Sequence, residues 1–251
     1  MPLPYIVKFV SSESKRGKTT VASKVVSILT SKGYRVSVIK HCSKGLEVEE
    51  KDTKKYIESG ADIVIASAPG MATVYIRDHV DSLENALAYA RTPIIIVEGF
   101  KTSKTGETIL VVEEQAEIEE LARKTSNIIA IVARSRIETR VETPVFLIGD
   151  ELKLAEFLET RMLEFTIKQS GQLNCQICGY PTCRDFAVAY LKGKTNWCPV
   201  VSSVEVKVNG VSIVLNPFVK NIVKHTVIGM LRSLKGVPEQ IKKISINIGE
   251  N

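Results

Sequence analysis

The sequence predicts an α/β fold in which helices cover both faces of a mostly parallel sheet, followed by a small cysteine-rich unit. Short runs such as IVIA, IIIV and IIAIVA are apolar without alternation. Strands of that kind are buried on both sides, as parallel sheets require. After about residue 169 the composition changes and cysteines cluster. We therefore expect two units, residues 1–166 and residues 167–251.

The strands of the first unit are predicted from short runs rich in β-branched residues. They are Tyr5–Val10, Val36–Lys40, Asp62–Ser67, Thr73–Arg77, Ile94–Glu98, Thr108–Val112, Ile128–Ala133 and Val145–Ile148. Between the first two strands lies TTVASKVVSILTSKG, in which Val21, Val25 and Leu29 share one helical face. Gly33 follows where a C-terminal cap belongs. Strand and helix patterns alternate in this way through most of the unit.

The second unit is predicted to combine the cysteine segment with a ββαβ tail. The stretch RDFAVAYLKG is helical in pattern, and VEVKVNGVSIVLN alternates around Asn209-Gly210, a strong hairpin signal. A second helix is expected with Asn216 as its N-cap, Pro217 in its first turn and Gly236 past its end. The closing string ISINI is strand-like.

Charge and composition argue against nucleic-acid and membrane partners. The net charge is +6, but basic residues are interleaved with acids and aromatic residues make up only 6%. No apolar run approaches the ~20 residues that span a bilayer. The first residues, MPLPYIVKF, lack the pattern of a signal peptide. We expect a cytoplasmic protein, in which clustered cysteines favour metal binding over disulfides.

A phosphate-binding loop is predicted between the first strand and the first helix. The P-loop pattern is a first glycine, four intervening residues and then Gly-Lys-Ser/Thr, and Ser12 takes the place of the first glycine here. Backbone N–H groups at a helix start still form an anion nest. The fold class is therefore a P-loop NTPase three-layer sandwich. The predicted nucleotide contacts are Ser14, Lys15, Arg16, Gly17, Lys18, Thr19 and Thr20, with Lys18 on the β- and γ-phosphates and Thr19 on Mg²⁺.

P-loop enzymes also place an acid near the metal, at the end of a buried strand. Glu98 follows the apolar run IIIV and is the leading candidate to orient metal or water. Asp52 is a second candidate, although it lies in the charge run EKDTKK. No guanine-reading Asn-Lys-x-Asp string is present, so the motifs leave the base open.

Four ordered motifs make the first unit similar to a known family. KRGKTT follows the first strand, VSVIKH lies on the second, and EKDTKKYIESGAD and IIIVEGFK come after them. Together they resemble the MobB family, whose members assist the attachment of a nucleotide to molybdopterin during molybdenum cofactor maturation. The resemblance covers about residues 5 to 162. It departs after His41, where CSKGLEVEE lacks the further His and Asp residues that family members often carry.

The resemblance, rather than the residues alone, implies GTP as the nucleotide and Mg²⁺ as its metal. It implies weak GTPase activity at most, with Lys18 and Glu98 as the groups that carry it. The implied partners are a molybdopterin-nucleotidyl transferase or a molybdenum or tungsten enzyme, and a second copy of the chain in a homodimer.

The four cysteines Cys175, Cys178, Cys183 and Cys198 have the spacing C-x2-C-x4-C-x14-C. Four thiolates hold either tetrahedral zinc or a [4Fe–4S] cluster. Zinc ribbons usually have two C-x2-C knuckles, whereas this chain has one. CGYPTC-x2-FA-x5-G, followed by Cys-Pro, resembles the four-iron cluster domain of corrinoid iron–sulfur proteins. We expect a [4Fe–4S] cluster, with zinc as the alternative.

Three functions are compatible with these features. The leading hypothesis is a GTP-binding accessory protein in molybdenum or tungsten cofactor maturation that carries an added cluster. A nucleotide-dependent metallochaperone is the second, and only His41 and Cys42 are available as metal ligands beside the nucleotide. The third is a non-enzymatic adapter that binds nucleotide and cluster to organise a complex.

Overall fold

The computed structural model describes residues 2–13, 16–48, 50–137, 143–198, 204–213, 215, 217–238 and 244–249. Its strands are β1 (Tyr5–Val10), β2 (Val36–Lys40), β3 (Ile63–Ala68), β4 (Met71–Ile76), β5 (Ile94–Glu98), β6 (Glu107–Val112), β7 (Ile128–Ala133), β8 (Val145–Leu147), β9 (Val206–Val208) and β10 (Val211–Ile213). The central sheet has the order β2-β5-β1-β6-β7-β8. Every neighbouring pair in it is parallel, which confirms the predicted class.

Helices cover both faces of this sheet. The described helices of the whole chain are α1 (Lys18–Ser31), α2 (Lys51–Glu58), α3 (Leu83–Leu87), α4 (Ala116–Lys124), α5 (Glu151–Gln169), α6 (Cys183–Leu191) and α7 (Pro217–Arg232), of which α1, α3, α4, α5 and α6 pack on the sheet. Helices α1, α5 and α6 share one core with Val7 and Phe9 of the sheet. On the other face, Leu121 of α4 packs with Leu110, while α3 covers β5. These layers are the predicted three-layer sandwich. Among the described helices, none is long and apolar enough to cross a membrane.

Strands β3 and β4 leave the central sheet and pair with each other as an antiparallel ribbon. Four apolar side chains on this ribbon are more than half exposed: Ile63, Ile65, Met71 and Val74. The strands were predicted to within two residues of their observed bounds, but their separation from the sheet was not. Alternating exposure along most of β3 and the exposure of the first four residues of β4 mark a surface element.

The cysteine-rich segment packs against the central sheet's helices. Phe186, Tyr190 and Cys198 belong to the same hydrophobic core as Val25 of α1 and Met162 of α5. The division expected between residues 166 and 167 lies inside α5. The two units are therefore joined by a continuous helix and a shared core.

The tail forms the predicted hairpin and helix. Strands β9 and β10 pair antiparallel, and the turn residues Asn209 and Gly210 have φ angles of 50° and 80°. Asn216, the predicted N-cap of α7, lies outside the described residues. The strand predicted at residues 244–248 is wrong, because residues 244–249 have no regular structure. Ile246 and Ile248 are exposed, and the described residues of the tail form two strands and one helix.

Candidate functional site

The phosphate-loop candidate lies at the carboxyl ends of β1 and β5, where α1 begins. Gly17 is the residue before α1 and has a left-handed φ of 80°, which a side chain would strain. The first N–H groups of α1 therefore start directly after the turn, as an anion site needs. Ser14 and Lys15 lie outside the described residues. Thr20 is exposed in the first turn of α1.

The Lys18 ammonium group is held by the loop itself. Its Nζ donates to the Ser11 hydroxyl and, over 2.8 Å, to the carbonyl oxygen of Glu13. Burial lowers the pKa of Lys18, and the charge of Lys101 lowers it further, while Glu98 acts in the opposite direction.

Thr19 and Glu98 are in direct contact. The Thr19 hydroxyl donates to Glu98 Oε1 over 2.7 Å, although the two residues come from α1 and from the end of β5. The predicted Mg²⁺ ligand and the predicted acid are thus adjacent, one residue from Lys18. Oxygen donors of this kind are what Mg²⁺ prefers.

The Arg16 side chain forms ion pairs with acidic side chains. Its guanidinium group forms ion pairs with Glu13, Glu113 and Glu117. The Ser12 hydroxyl also donates to Glu117. Burial alone raises the pKa of Glu117, but the Ser12 hydroxyl, two backbone N–H groups and Arg16 together hold it below its usual range. Arg16 therefore ties the phosphate loop to the segment after β6.

Asp52 lies on α2, where its carboxylate pairs with Lys55 over 3.0 Å. Both side chains are largely exposed. Within the described residues, no hydrogen bond or ion pair joins Asp52 to the phosphate loop.

His41 adds a group beside the site. Its backbone N–H donates to the carbonyl oxygen of Glu98 over 2.9 Å, and its Nε2 lies 2.9 Å from Asp81 Oδ2. Its ring stacks on Phe100 with centroids 4.4 Å apart. A Cβ at Gly99 would lie 2.8 Å from His41 Cβ, so only glycine fits there. The partners Asp81 and Phe100 were not identified from the sequence, because they come from other loops.

The four predicted cysteine ligands line one small cavity. Cys175 is exposed, Cys178 and Cys183 are half-buried, and Cys198 is buried. No three His, Cys, Asp or Glu side chains of the described residues converge as ligands of a metal ion. The four thiols therefore line the same cavity, from a loop, a helix start and a buried position, without being arranged there as the ligands of a metal ion.

The backbone of the cysteine loop has an unusual conformation that suits an anionic cluster. Gln172, Asn174 and Gln176 have left-handed φ angles of 57°, 46° and 58°. Left-handed residues of this kind occur in backbone nests, whose N–H groups bind anions such as iron–sulfur sites. The Asn174 N–H already donates to Cys183 Sγ over 3.3 Å. The residues present therefore fit a four-thiolate cluster.

Comparisons with known proteins agree with this geometry. The family model for molybdopterin guanine dinucleotide synthesis protein B, MobB, matches residues 6–134. The curated relative in Methanocaldococcus jannaschii, named as a proposed molybdopterin-guanine dinucleotide biosynthesis adapter protein, is 31% identical over 237 residues. That match covers 90% of this chain and 91% of the relative. The chain belongs to the MobB family.

The second unit of this MobB-family chain has its own match. A model for a proposed Fe–S cluster domain covers residues 172–200, which include all four cysteines. Among solved structures, Bacillus subtilis MobB has a TM-score of 0.53 and 23% identity, covering 62% of this chain and 96% of that chain. A crystal structure of molybdopterin-guanine biosynthesis protein B has a TM-score of 0.50 and 27% identity, covering 62% and 98%. The solved folds thus correspond to the first unit.

Proposed function

We propose that this MobB-family protein binds GTP with Mg²⁺ at residues 14–20 and hydrolyses it weakly. In this role it serves as a cytoplasmic accessory of molybdopterin guanine dinucleotide synthesis. The contact between Thr19 and Glu98, next to Lys18, is the observation that carries the proposal. It supports the proposal because Thr19, the proposed metal ligand, and Glu98, the proposed acid, meet at the start of α1 beside Lys18.

Each of these side chains has a separate task in the proposed reaction. Lys18 exchanges the Ser11 hydroxyl and the Glu13 carbonyl for phosphate oxygens and neutralises their charge. Thr19 supplies an oxygen for Mg²⁺, and Glu98 orients the metal or the attacking water. Such catalysis rests on positioning and charge stabilisation. Arg16 keeps the loop fixed through its acidic partners.

The second unit is proposed to hold a [4Fe–4S] cluster with Cys175, Cys178, Cys183 and Cys198 as ligands. When bound, such a cluster supplies one-electron chemistry or a docking surface. The chain's own contribution is the left-handed loop, whose N–H groups stabilise negative charge on sulfur. Asn174 Oδ1 also accepts a hydrogen bond from the Cys183 N–H over 2.7 Å, and this bond fixes the start of α6.

The proposed partners are a molybdopterin-nucleotidyl transferase or a molybdenum or tungsten enzyme, and a second copy of this chain. The apolar side chains of the β3–β4 ribbon support the homodimer, because such exposed patches mark interaction surfaces. Sedimentation of the full chain and of Ile65→Lys tests it. A dimer that becomes monomeric supports this surface, and an unchanged dimer places the interface elsewhere.

The nucleotide site is tested with Lys18→Ala. Losing a charged hydrogen-bonding partner of the phosphates should weaken GTP binding about tenfold to a hundredfold, measured by calorimetry with Mg²⁺. Lys124→Ala, which removes an exposed lysine paired with Glu120, is the matched control and should bind normally. Wild-type affinity in a folded Lys18→Ala protein would exclude this loop as the phosphate site.

A further inference from the structure

A cavity of about 410 Å³ lies between the two units of the chain. One wall is the loop before β5, with Arg91, Thr92 and Pro93, and the other is residues 193–196, which connect α6 to Cys198. Strands β1 and β5 both begin beside it. The phosphate loop lies where the same parallel strands end, so the cavity is at the opposite edge of the sheet and separate from the nucleotide site.

The charged groups of this cavity have one sign. Arg91 comes from the first wall and Lys194 from the second, and no carboxylate lines the space. Both side chains are exposed. Within the part of the chain that the structure describes, neither one forms an ion pair with an Asp or Glu. Two cations without counter-charges on opposite walls favour an anion between them.

Two other polar side chains of the walls already form hydrogen bonds within the protein. The Thr92 hydroxyl donates to the carbonyl oxygen of Ile94 over 2.7 Å, and the Tyr190 hydroxyl donates to that of Pro2 over 2.9 Å. These bonds fix the inner surface. The side-chain donors that remain for a ligand are the two cations, the amide of Asn196 and the hydroxyl of Thr195, which accepts a hydrogen bond from the Trp197 N–H.

We propose that this cavity binds a small organic anion that carries phosphate or carboxylate groups. The volume falls in the range of small-molecule sites, roughly 300–1,000 Å³, and exceeds what a bare inorganic ion fills. Arg91 offers a planar fork that suits either group in two parallel hydrogen bonds, and Lys194 offers a point charge from the other side.

Occupancy of the cavity has a consequence for the cysteine centre. An anion that joins both walls restrains residues 193–196, and Cys198 follows two residues later. Binding is therefore linked to the arrangement of the fourth thiol, and by reciprocity the loading of the cysteine centre alters anion affinity.

Trp197 provides a local reporter of this site. It is the only tryptophan of the chain, its side chain is exposed, and its backbone N–H donates to the Thr195 hydroxyl over 3.4 Å. The full-length Lys18→Ala protein, whose phosphate loop is disabled, is titrated with pyrophosphate and separately with citrate. Chloride at matched ionic strength is the control. We expect a saturable change in Trp197 fluorescence with one of the two anions, which also identifies the preferred group.

Two substitutions assign the response to the cavity. Arg91→Gln and Lys194→Gln should each weaken the anion about tenfold or more, while Arg123→Gln, an exposed arginine on α4, should leave it unchanged. Circular dichroism checks that the variants fold. No saturable response, a response equal to that of chloride, or one unaffected by both substitutions overturns the proposal. The titration contains no nucleotide, so its result is independent of GTP binding.

Discussion

At the scale of single residues, Lys8 has the least expected position. It is fully buried in the middle of β1, where ammonium groups are rare. Its Nζ donates to the carbonyl oxygen of Ser103, and the hydroxyls of Ser103 and Thr105 donate to Glu84 over 3.1 and 2.8 Å. The hydrogen bond from Lys8 therefore holds the loop that contains Ser103, between β5 and β6, against β1.

The buried charge of Lys8 predicts a pH dependence of stability. Burial lowers the pKa of Lys8 in the folded state, with Glu84 opposing, so the unfolded chain binds more protons. The free energy of unfolding should therefore rise with pH between the lowered pKa and the ordinary lysine value near ~10.4, by at most about 1.4 kcal/mol per pH unit. Lys8→Met should lose this rise in urea unfolding at neutral and alkaline pH, whereas Lys104→Met, an exposed neighbour, should keep it. Equal slopes in the Lys8→Met and wild-type proteins would contradict the buried charge.

Glu98 is expected to act after binding. Glu98→Gln keeps the shape and the hydrogen bond from Thr19 but removes the charge that orients metal or water. Single-turnover GTP hydrolysis should slow about a hundredfold or more, while the GTP dissociation constant changes little. Glu156→Gln, on the exposed side of α5, serves as control. If hydrolysis keeps its wild-type rate, Glu98 is only a strand-end acid that positions Thr19.

At the scale of elements, the cysteine loop and α6 form one ligand-bearing unit. Thr182 caps α6 through a reciprocal pair of hydrogen bonds with Asp185, so the helix begins at Cys183. The left-handed residues before it need an interaction that holds them, because such conformations are costly for residues other than glycine. In the proposed cluster-bound protein, cluster sulfur would supply that interaction by accepting hydrogen bonds from the loop N–H groups.

Cys178→Ser is the test of this unit. Anaerobically reconstituted wild-type protein should contain about four irons per chain and absorb broadly in the visible range, and the variant should lose both. Hydrogen exchange in residues 171–182 should quicken in the variant, since ligand binding orders such a loop. Cys42→Ser, which changes the cysteine outside the cavity, should retain the iron. One zinc per chain without iron or sulfide would establish the alternative metal.

The sequence predicted local features better than long-range ones. The bounds of β1, β2, β5 and β7 follow from apolar runs, and the Asn209-Gly210 turn follows from turn chemistry. The burial of Lys8 was not predicted, because it depends on Ser103 and on α3 lying over the same face of the sheet. The position of Glu98 near Thr19 was expected from the pattern of P-loop enzymes, which place an acid near the metal at the end of a buried strand. The prediction of a strand at residues 244–248 was wrong because an alternating apolar pattern does not by itself provide a strand to pair with.

At the scale of the whole molecule, α1 links the two proposed sites. It begins at the phosphate loop, and the residues after it meet the end of α6. The Arg35 N–H donates to the carbonyl oxygen of Leu191 over 3.0 Å, and Lys192 Nζ lies 5.5 Å from the Tyr34 ring centroid. A Cβ at Gly193 would lie 2.8 Å from Arg35 Cγ, so the segment after α6 and the segment after α1 approach closely there. The phosphate loop and the cysteine segment therefore rest on one scaffold.

This shared scaffold predicts that the two units unfold together. Leu191 is fully buried in the common core but does not line the cysteine cavity. Leu191→Ala should lower the free energy of unfolding by about 2–5 kcal/mol, because it leaves a void between α6 and the helices on the sheet. Thermal melts followed by circular dichroism and by loss of GTP binding should then shift together, while Leu152→Ala, an exposed position on α5, shifts neither. Two transitions, with GTP binding lost at the wild-type temperature, would show that the cysteine segment is stabilised separately. A single shifted transition would mean instead that residues of both units stabilise the nucleotide site. This would hold even though the proposed phosphate contacts all come from the first unit.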